Sequence, residues 1–272
     1  IPLDQLITKA VACGVNAMAL TDINTVTGIY DFIKGCQNVG IKPIVGIEFR
    51  SENQLRFIGL AKNASGLAEM NRLLTRHNFD KTPLPSYAPE FENVFVIYPL
   101  ENVPAVLKQN EFIGFRPEQR PTLVFTNWKT KIDKMVILQP VSIRSKKEYE
   151  LHKILRAIDL NIILTRLSVE DYCRHTEIMV PMDRLLSAYA EYPQIISNTE
   201  KIIDQCHFEF DFKAPKNKKF YTNSRESDIA LLTTLAQQGL EWRYGNENAE
   251  AKARVIKELK VIDELQFSGY FL

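Results

Sequence analysis

Through the first half of the chain, short apolar runs alternate with amphipathic stretches of helical period. Leu3, Leu6, Ile7, Ala10 and Val11 share one helical face, which Gly14 closes. Residues 17–20 form a short apolar run that stops at Thr21-Asp22. Ile29, Phe32, Ile33 and Cys36 then recur at i, i+3, i+4 and i+7, and Gly40 stands before the buried run 43–48. This predicts a strand–helix–strand unit over residues 15–49, its two strands parallel and joined by a right-handed crossover. Asp22 and Glu48 fall at the carboxyl ends of those strands, where α/β folds place their chemistry. Further strands are predicted at 55–61, 94–98, 122–125 and 135–138, with helices through Leu67, Met70, Leu73 and Leu74 and near 103–110. Residues 78–93, with Pro83, Pro85 and Pro89, read as a surface loop.

Beyond residue 150 the period is helical. Leu151, Ile154, Leu155 and Ile158 give one face; Met182, Leu185, Leu186 and Tyr189 a second; Ile195, Thr199, Ile202 and Cys206 a third. Residues 207–225 read as an extended linker with a basic knot at Lys213, Lys216, Lys218 and Lys219. Leu232, Leu235, Ala236 and Leu240, then Val255, Leu259 and Ile262, mark two more helices. An α/β layer or barrel followed by helices is the expected fold class.

Composition narrows the function classes. The 272 residues exceed one ordinary core, and 45% hydrophobic with 25% charged content is that of a globular protein. A net charge of +1 leaves no chain-wide attraction for nucleic acid, although a local basic patch remains open. No apolar run approaches a membrane span. Four cysteines without CxxC spacing suit a reduced cytoplasmic compartment.

Several phrases resemble one family in register. GVNAMALTDINTVTGIYDFIKGCQNVGIKPIVGIEF, LRFIGLAKNASGLAEMNRLL, YELHKILRAI, PQIISNTEKIIDQC and LLTTLAQQGLEWRYG with VIKELKVIDELQFSGYFL are similar to the amino-terminal part of bacterial DNA polymerase III alpha subunits. The resemblance implies a PHP domain, a distorted (βα)7 barrel, at residues 1–205, with its first strand preceding Ile1. A linker at 206–225 and a mainly helical start of the polymerase palm at 226–272 would follow. It also implies a polymerase active site downstream, Mg²⁺ for the parent DNA-directed DNA polymerase, and as partners a proofreading exonuclease subunit, other replisome subunits and primer–template DNA.

PHP phosphoesterases cluster divalent metals to neutralise and orient a phosphodiester and to activate water. Aligned on that pattern, Ile23 stands at a histidine position, Arg56 at another ligand position, Leu100 at a thiolate position, and Pro140 and Ser142 at a carboxylate and an imidazole position. Only Asp22 and Glu48 remain as remnants, so the resemblance implies a degraded metal site, no cofactor in this fragment, and a scaffold or docking role. The competing expectation is a domain retaining metal-dependent phosphoesterase or 3′–5′ exonuclease activity. Plainer readings stand beside these. Asp22 also suits a helix cap or turn, and Glu48 an ion pair with Arg50 or Arg56. His152 suits a surface position, and Lys216, Lys218 and Lys219 suit either phosphate contacts or a solvated linker.

Overall fold

The computed structural model describes residues 1–51, 53–214 and 219–272. The chain divides into two compact units, residues 1–210 and 211–272.

The first unit opens with helix α1 (Leu3–Ala12), strand β1 (Ala17–Ile23), helix α2 (Ile29–Asn38) and strand β2 (Lys42–Ser51). Gly14 and Gly40 follow α1 and α2 at φ near +70°, a conformation in which glycine ends a helix without a Cβ clash. β1 and β2 pair in parallel, as the strand–helix–strand pattern requires. β3 (Gln54–Ala61), α3 (Ala64–Asp80), β4 (Val94–Pro99), β5 (Glu111–Phe115), α4 (Arg120–Phe125) and β6 (Met135–Ile137) complete a sheet of sequential order β1-β2-β3-β4-β5-β6. β3 is antiparallel to both neighbours; on the β2 side Ser51 pairs with Gln54, which leaves no length for a crossover helix. β4, β5 and β6 are again parallel.

Strand alternation sorts the core onto two faces. Val45, Ile47, Phe49, Phe57, Val94, Val96 and Tyr98 pack with Ile29 and Ile33 of α2 and Met70 and Leu74 of α3. Ile44, Ile58, Leu60, Phe95 and Ile97 pack on the opposite face with Val136, Leu138, Ile202 and Cys206.

Two expected elements differ. Residues 122–125 are helical, within α4: Pro121 occupies the first turn, where its missing N–H costs nothing, and Leu123 is fully buried. Residues 103–110 contain no helix, and the strand lies just beyond, in β5. Helices α5 (Lys146–Asp159), α6 (Met182–Ser187) and α7 (Pro193–Gln205) follow. The apolar stripe of α5 is not a core face: Leu151, Ile154, Leu155 and Ile158 are 46–69% exposed, and only Ala157 is buried.

α7 seals the edge of the short β6. Asn198 Nδ2 donates to the carbonyls of Ile132, Asp133 and Met135, while Thr199 Oγ1 accepts from the Ile137 N–H at 2.8 Å. Otherwise unpaired backbone groups are thereby satisfied.

The second unit holds α8 (Arg225–Tyr244), α9 (Ala249–Glu264) and the short α10 (Ser268–Phe271). Leu232 and Ala236 of α8 share an apolar groove with Val255, Leu259 and Ile262 of α9. Among the described residues, no helix is long and apolar enough to cross a membrane.

Candidate functional site at the strand ends

The carboxyl ends of β1, β2, β4, β5 and β6 and the start of β3 lie at one end of the sheet. Asp22 and Glu48 are both there, but not together. In register, Asp22 pairs with Ile47 and Ile23 with Glu48, so alternation turns the two carboxylates to opposite faces. Asp22 lies with Leu20 toward the start of α2, its Oδ2 3.2 Å from where a Cβ on Gly28 would sit. Burial raises its carboxyl above the ordinary value. On the other face, beside Glu48, stands the half-exposed Ile23. Gly46 keeps this face closely packed, since a Cβ there would meet Gly59 O at 2.5 Å and Thr21 Cγ2 at 2.8 Å.

Glu48 is mostly buried, and Arg50 Nε donates to its Oε1. Burial raises the Glu48 carboxyl, and the nearby Glu177 adds to this, while Arg50 and Arg116 pull it down. These four side chains therefore share one electrostatic environment. Arg116, directly after β5, reaches Glu177 Oε1 at 3.3 Å with both side chains about 10% exposed. Ser142 Oγ donates to Glu177 Oε2 at 2.6 Å, and the Ser142 and Ile143 N–H groups donate to the Glu177 carbonyl. Gln139 Nε2 donates to the carbonyls of Thr176 and Ile178. Residues 139–142 thus serve to hold the 176–178 segment across the sheet end.

Around this pair, His152 Nε2 accepts the Cys173 N–H at 3.2 Å. Burial and Arg156 hold the His152 imidazole below its ordinary value, and burial pushes the Cys173 thiol up to about 11. His152 is only partly exposed and hydrogen-bonded, not the free surface group its place off the α5 stripe suggests. Arg56 has a buried Nε without a partner among the described residues. Leu100 opens a 3-10 turn and packs against the core, and Asn102 of that turn donates to the Arg56 carbonyl at 2.8 Å.

Arg116 and Glu177 carry no sequence signal of their own. Arg116 follows a strand that periodicity does not reveal, and Glu177 sits in a segment without period. Among the described residues, no group of three or more His, Cys, Asp or Glu side chains is clustered to hold a metal ion. Lys219 is exposed in the second unit, its Nζ 5.5 Å from the Phe220 ring centroid. Lys216 and Lys218 lie outside the described residues.

Residues 1–103, which carry the first four strands of this sheet, match the PHP domain family. Over its whole length the chain is similar to DNA polymerase III subunit alpha of Halalkalibacterium halodurans, at 27% identity covering 99% of this chain and 27% of the relative. It is likewise similar to DNA polymerase III subunit alpha of Streptococcus pyogenes serotype M1, at 24% identity covering 100% of the chain and 26% of the relative. An error-prone DNA polymerase of Symbiobacterium thermophilum matches at 23%, covering 99% and 29%. The chain is thus similar to DNA polymerase III alpha subunits, with a PHP-domain match over residues 1–103, and spans between a quarter and a third of the length of the curated relatives it matches.

Proposed function

We propose that this chain is the amino-terminal PHP part of a replicative DNA polymerase alpha subunit, in which the PHP site has lost its metals and the domain serves as a scaffold. The carrying observation is the Arg116–Glu177 pair. Where a phosphoesterase needs free carboxylates and imidazoles, Glu177 is taken by Arg116 and Ser142, and Glu48 by Arg50. Ile23 stands beside Glu48 in place of a ligand. Guanidinium groups repel divalent cations, so the donor set does not fit a metal cluster.

In this reading the six strands belong to a distorted (βα)7 barrel ending near residue 205. Residues 206–225 link it to a helical start of the palm, and Mg²⁺ serves the parent polymerase rather than this part. The unpartnered stripe of Leu151, Ile154, Leu155 and Ile158 supports a docking role, with the proofreading exonuclease as occupant.

Titration calorimetry of the whole chain with Mn²⁺ is expected to show no saturable binding. Tight stoichiometric binding that Glu48→Ala abolishes would establish the competing phosphoesterase reading instead. Co-purification with the exonuclease subunit, lost on Leu155→Lys with Ile158→Lys, tests the docking role. Retention of the complex by that double variant counts against α5 as the surface.

A further inference from the structure

Residues 144–176 leave the core of the first unit and return to it at one place. Ile143, 2% exposed, pairs with Ile178 in an isolated parallel bridge, and the Ser142 and Ile143 N–H groups donate to the Glu177 carbonyl. Just outside this bridge, Val141 and Met179 pack into the core with α1 and α2, and the buried Arg116–Glu177 pair pins the same point. Among the described residues between these anchors, only Ala157 is buried, and none joins an apolar core cluster.

Within this excursion the parts hold one another. The Tyr149 and Tyr172 rings meet edge-on at 5.9 Å, with Lys153 Nζ over both at 5.4 and 5.7 Å. His152 Nε2 accepts the Cys173 N–H, and Arg156 Nε donates to the Asp171 carbonyl at 2.8 Å. α5 and residues 171–173 are therefore tied into one body. That body is fastened to the sheet end by polar groups. Asn53, in the turn between β2 and β3, donates to Asp171 Oδ1 at 2.7 Å and accepts from Arg156 Nη2 at 3.3 Å. Arg174 reaches Glu101, after β4, at 3.2 Å, with 45% and 58% of the two side chains exposed. Thr176 Oγ1 donates to Glu118, after β5, at 3.1 Å. Exposed ion pairs contribute little each, and apolar burial is what holds most elements down. A segment fastened in this way opens at less cost than the sheet unfolds.

We propose that residues 144–176 form a lid over the carboxyl ends of the strands, hinged at the Ile143–Ile178 bridge and held shut by polar latches, which opens as one body while the sheet stays folded. Opening uncovers the turns that follow β2, β4 and β5. The assignment depends neither on the metal-free reading of the PHP site nor on what docks at α5.

Hydrogen exchange of the whole chain, read residue by residue, tests it. The interior amides of α5 and the Cys173 amide should share one protection level, below that of β1 and α2. Their exchange should quicken several-fold between about 0.1 M and about 1 M salt, as the screening length falls from ~10 Å to ~3 Å. Asn53→Ala with Glu101→Ala cuts two latches from the sheet side and leaves every residue of the lid in place. This double variant should speed α5 exchange several-fold and leave β1 and α2 as they were. α5 amides as protected as those of β1 would overturn the proposal. So would an unchanged α5 rate in the double variant, which is the behaviour of a helix fraying by itself, or an equal gain in β1 and α2, which is the behaviour of global unfolding.

Discussion

Arg116 meets Glu177 at 3.3 Å at the carboxyl end of β5, and both side chains are nine-tenths buried. Two charges this far from water hold their place only because each satisfies the other, with Ser142 completing the carboxylate. Removing one leaves the other buried and uncompensated. Arg116→Ala is therefore expected to cost roughly 3–5 kcal/mol in urea unfolding, whereas replacing both partners by apolar residues, as in Arg116→Met with Glu177→Leu, recovers most of that loss. Equal destabilisation by the single and double variants would show that the pair does not act as a unit.

How much of this could be read beforehand depended on how local the cause was. The unit spanning β1, α2 and β2 was legible because its period, its glycine stops and its apolar runs lie within one short stretch. β5 and α4 were not: five residues give too little period, and Thr122-Leu123-Val124-Phe125 has strand propensity that Pro121 and the buried Leu123 override. At the site, the positions of Asp22 and Glu48 at strand ends were readable, but not their separation onto opposite faces. That follows from a register offset of one residue, which only pairing reveals. Arg116 and Glu177 are 61 residues apart, and nothing in either neighbourhood announces the other. The stripe on α5 carried the correct period, but period shows a helix and not what covers it.

Glu48 makes the sheet end sensitive to pH. Burial raises its carboxyl above 4.5, so the folded protein binds this proton more tightly than the unfolded chain. The associated stability is complete below pH 4.5 and is lost as pH rises through the higher folded value. Glu48→Gln cannot ionise, and its stability relative to wild type should climb as pH rises above 4.5 toward neutrality. A difference that stays flat over that range would mean that Arg50 fully offsets the burial.

His152 acts in the opposite sense. Its imidazole is held below 6.5, and its Nε2 accepts the Cys173 N–H, which requires the neutral ring. Folding therefore favours the neutral form: the contribution is present above pH 6.5 and is lost as pH falls through the lowered folded value. Ring NMR should place the His152 midpoint below 6.5, and His152→Gln should remove that part of the acid-side loss. A midpoint at or above 6.5 would show that the hydrogen bond and burial do not control the ring.

Asn198 carries more than its place on a helix suggests. Its amide donates to three carbonyls, those of Ile132, Asp133 and Met135, and Thr199 one position on accepts from Ile137. Between them they bind the last strand of the sheet to α7, and β6 has only three residues to hold itself. Asn198→Ala leaves buried carbonyls without donors and is expected to cost roughly 1–3 kcal/mol. Thr199→Val keeps the shape and removes one acceptor, for a smaller loss. Hydrogen exchange gives the sharper readout: in Asn198→Ala, the amides of β6 and of residues 127–134 should lose protection while those of β1 and β2 keep theirs. Uniform loss across the sheet would mean that Asn198 supports the whole fold rather than this edge.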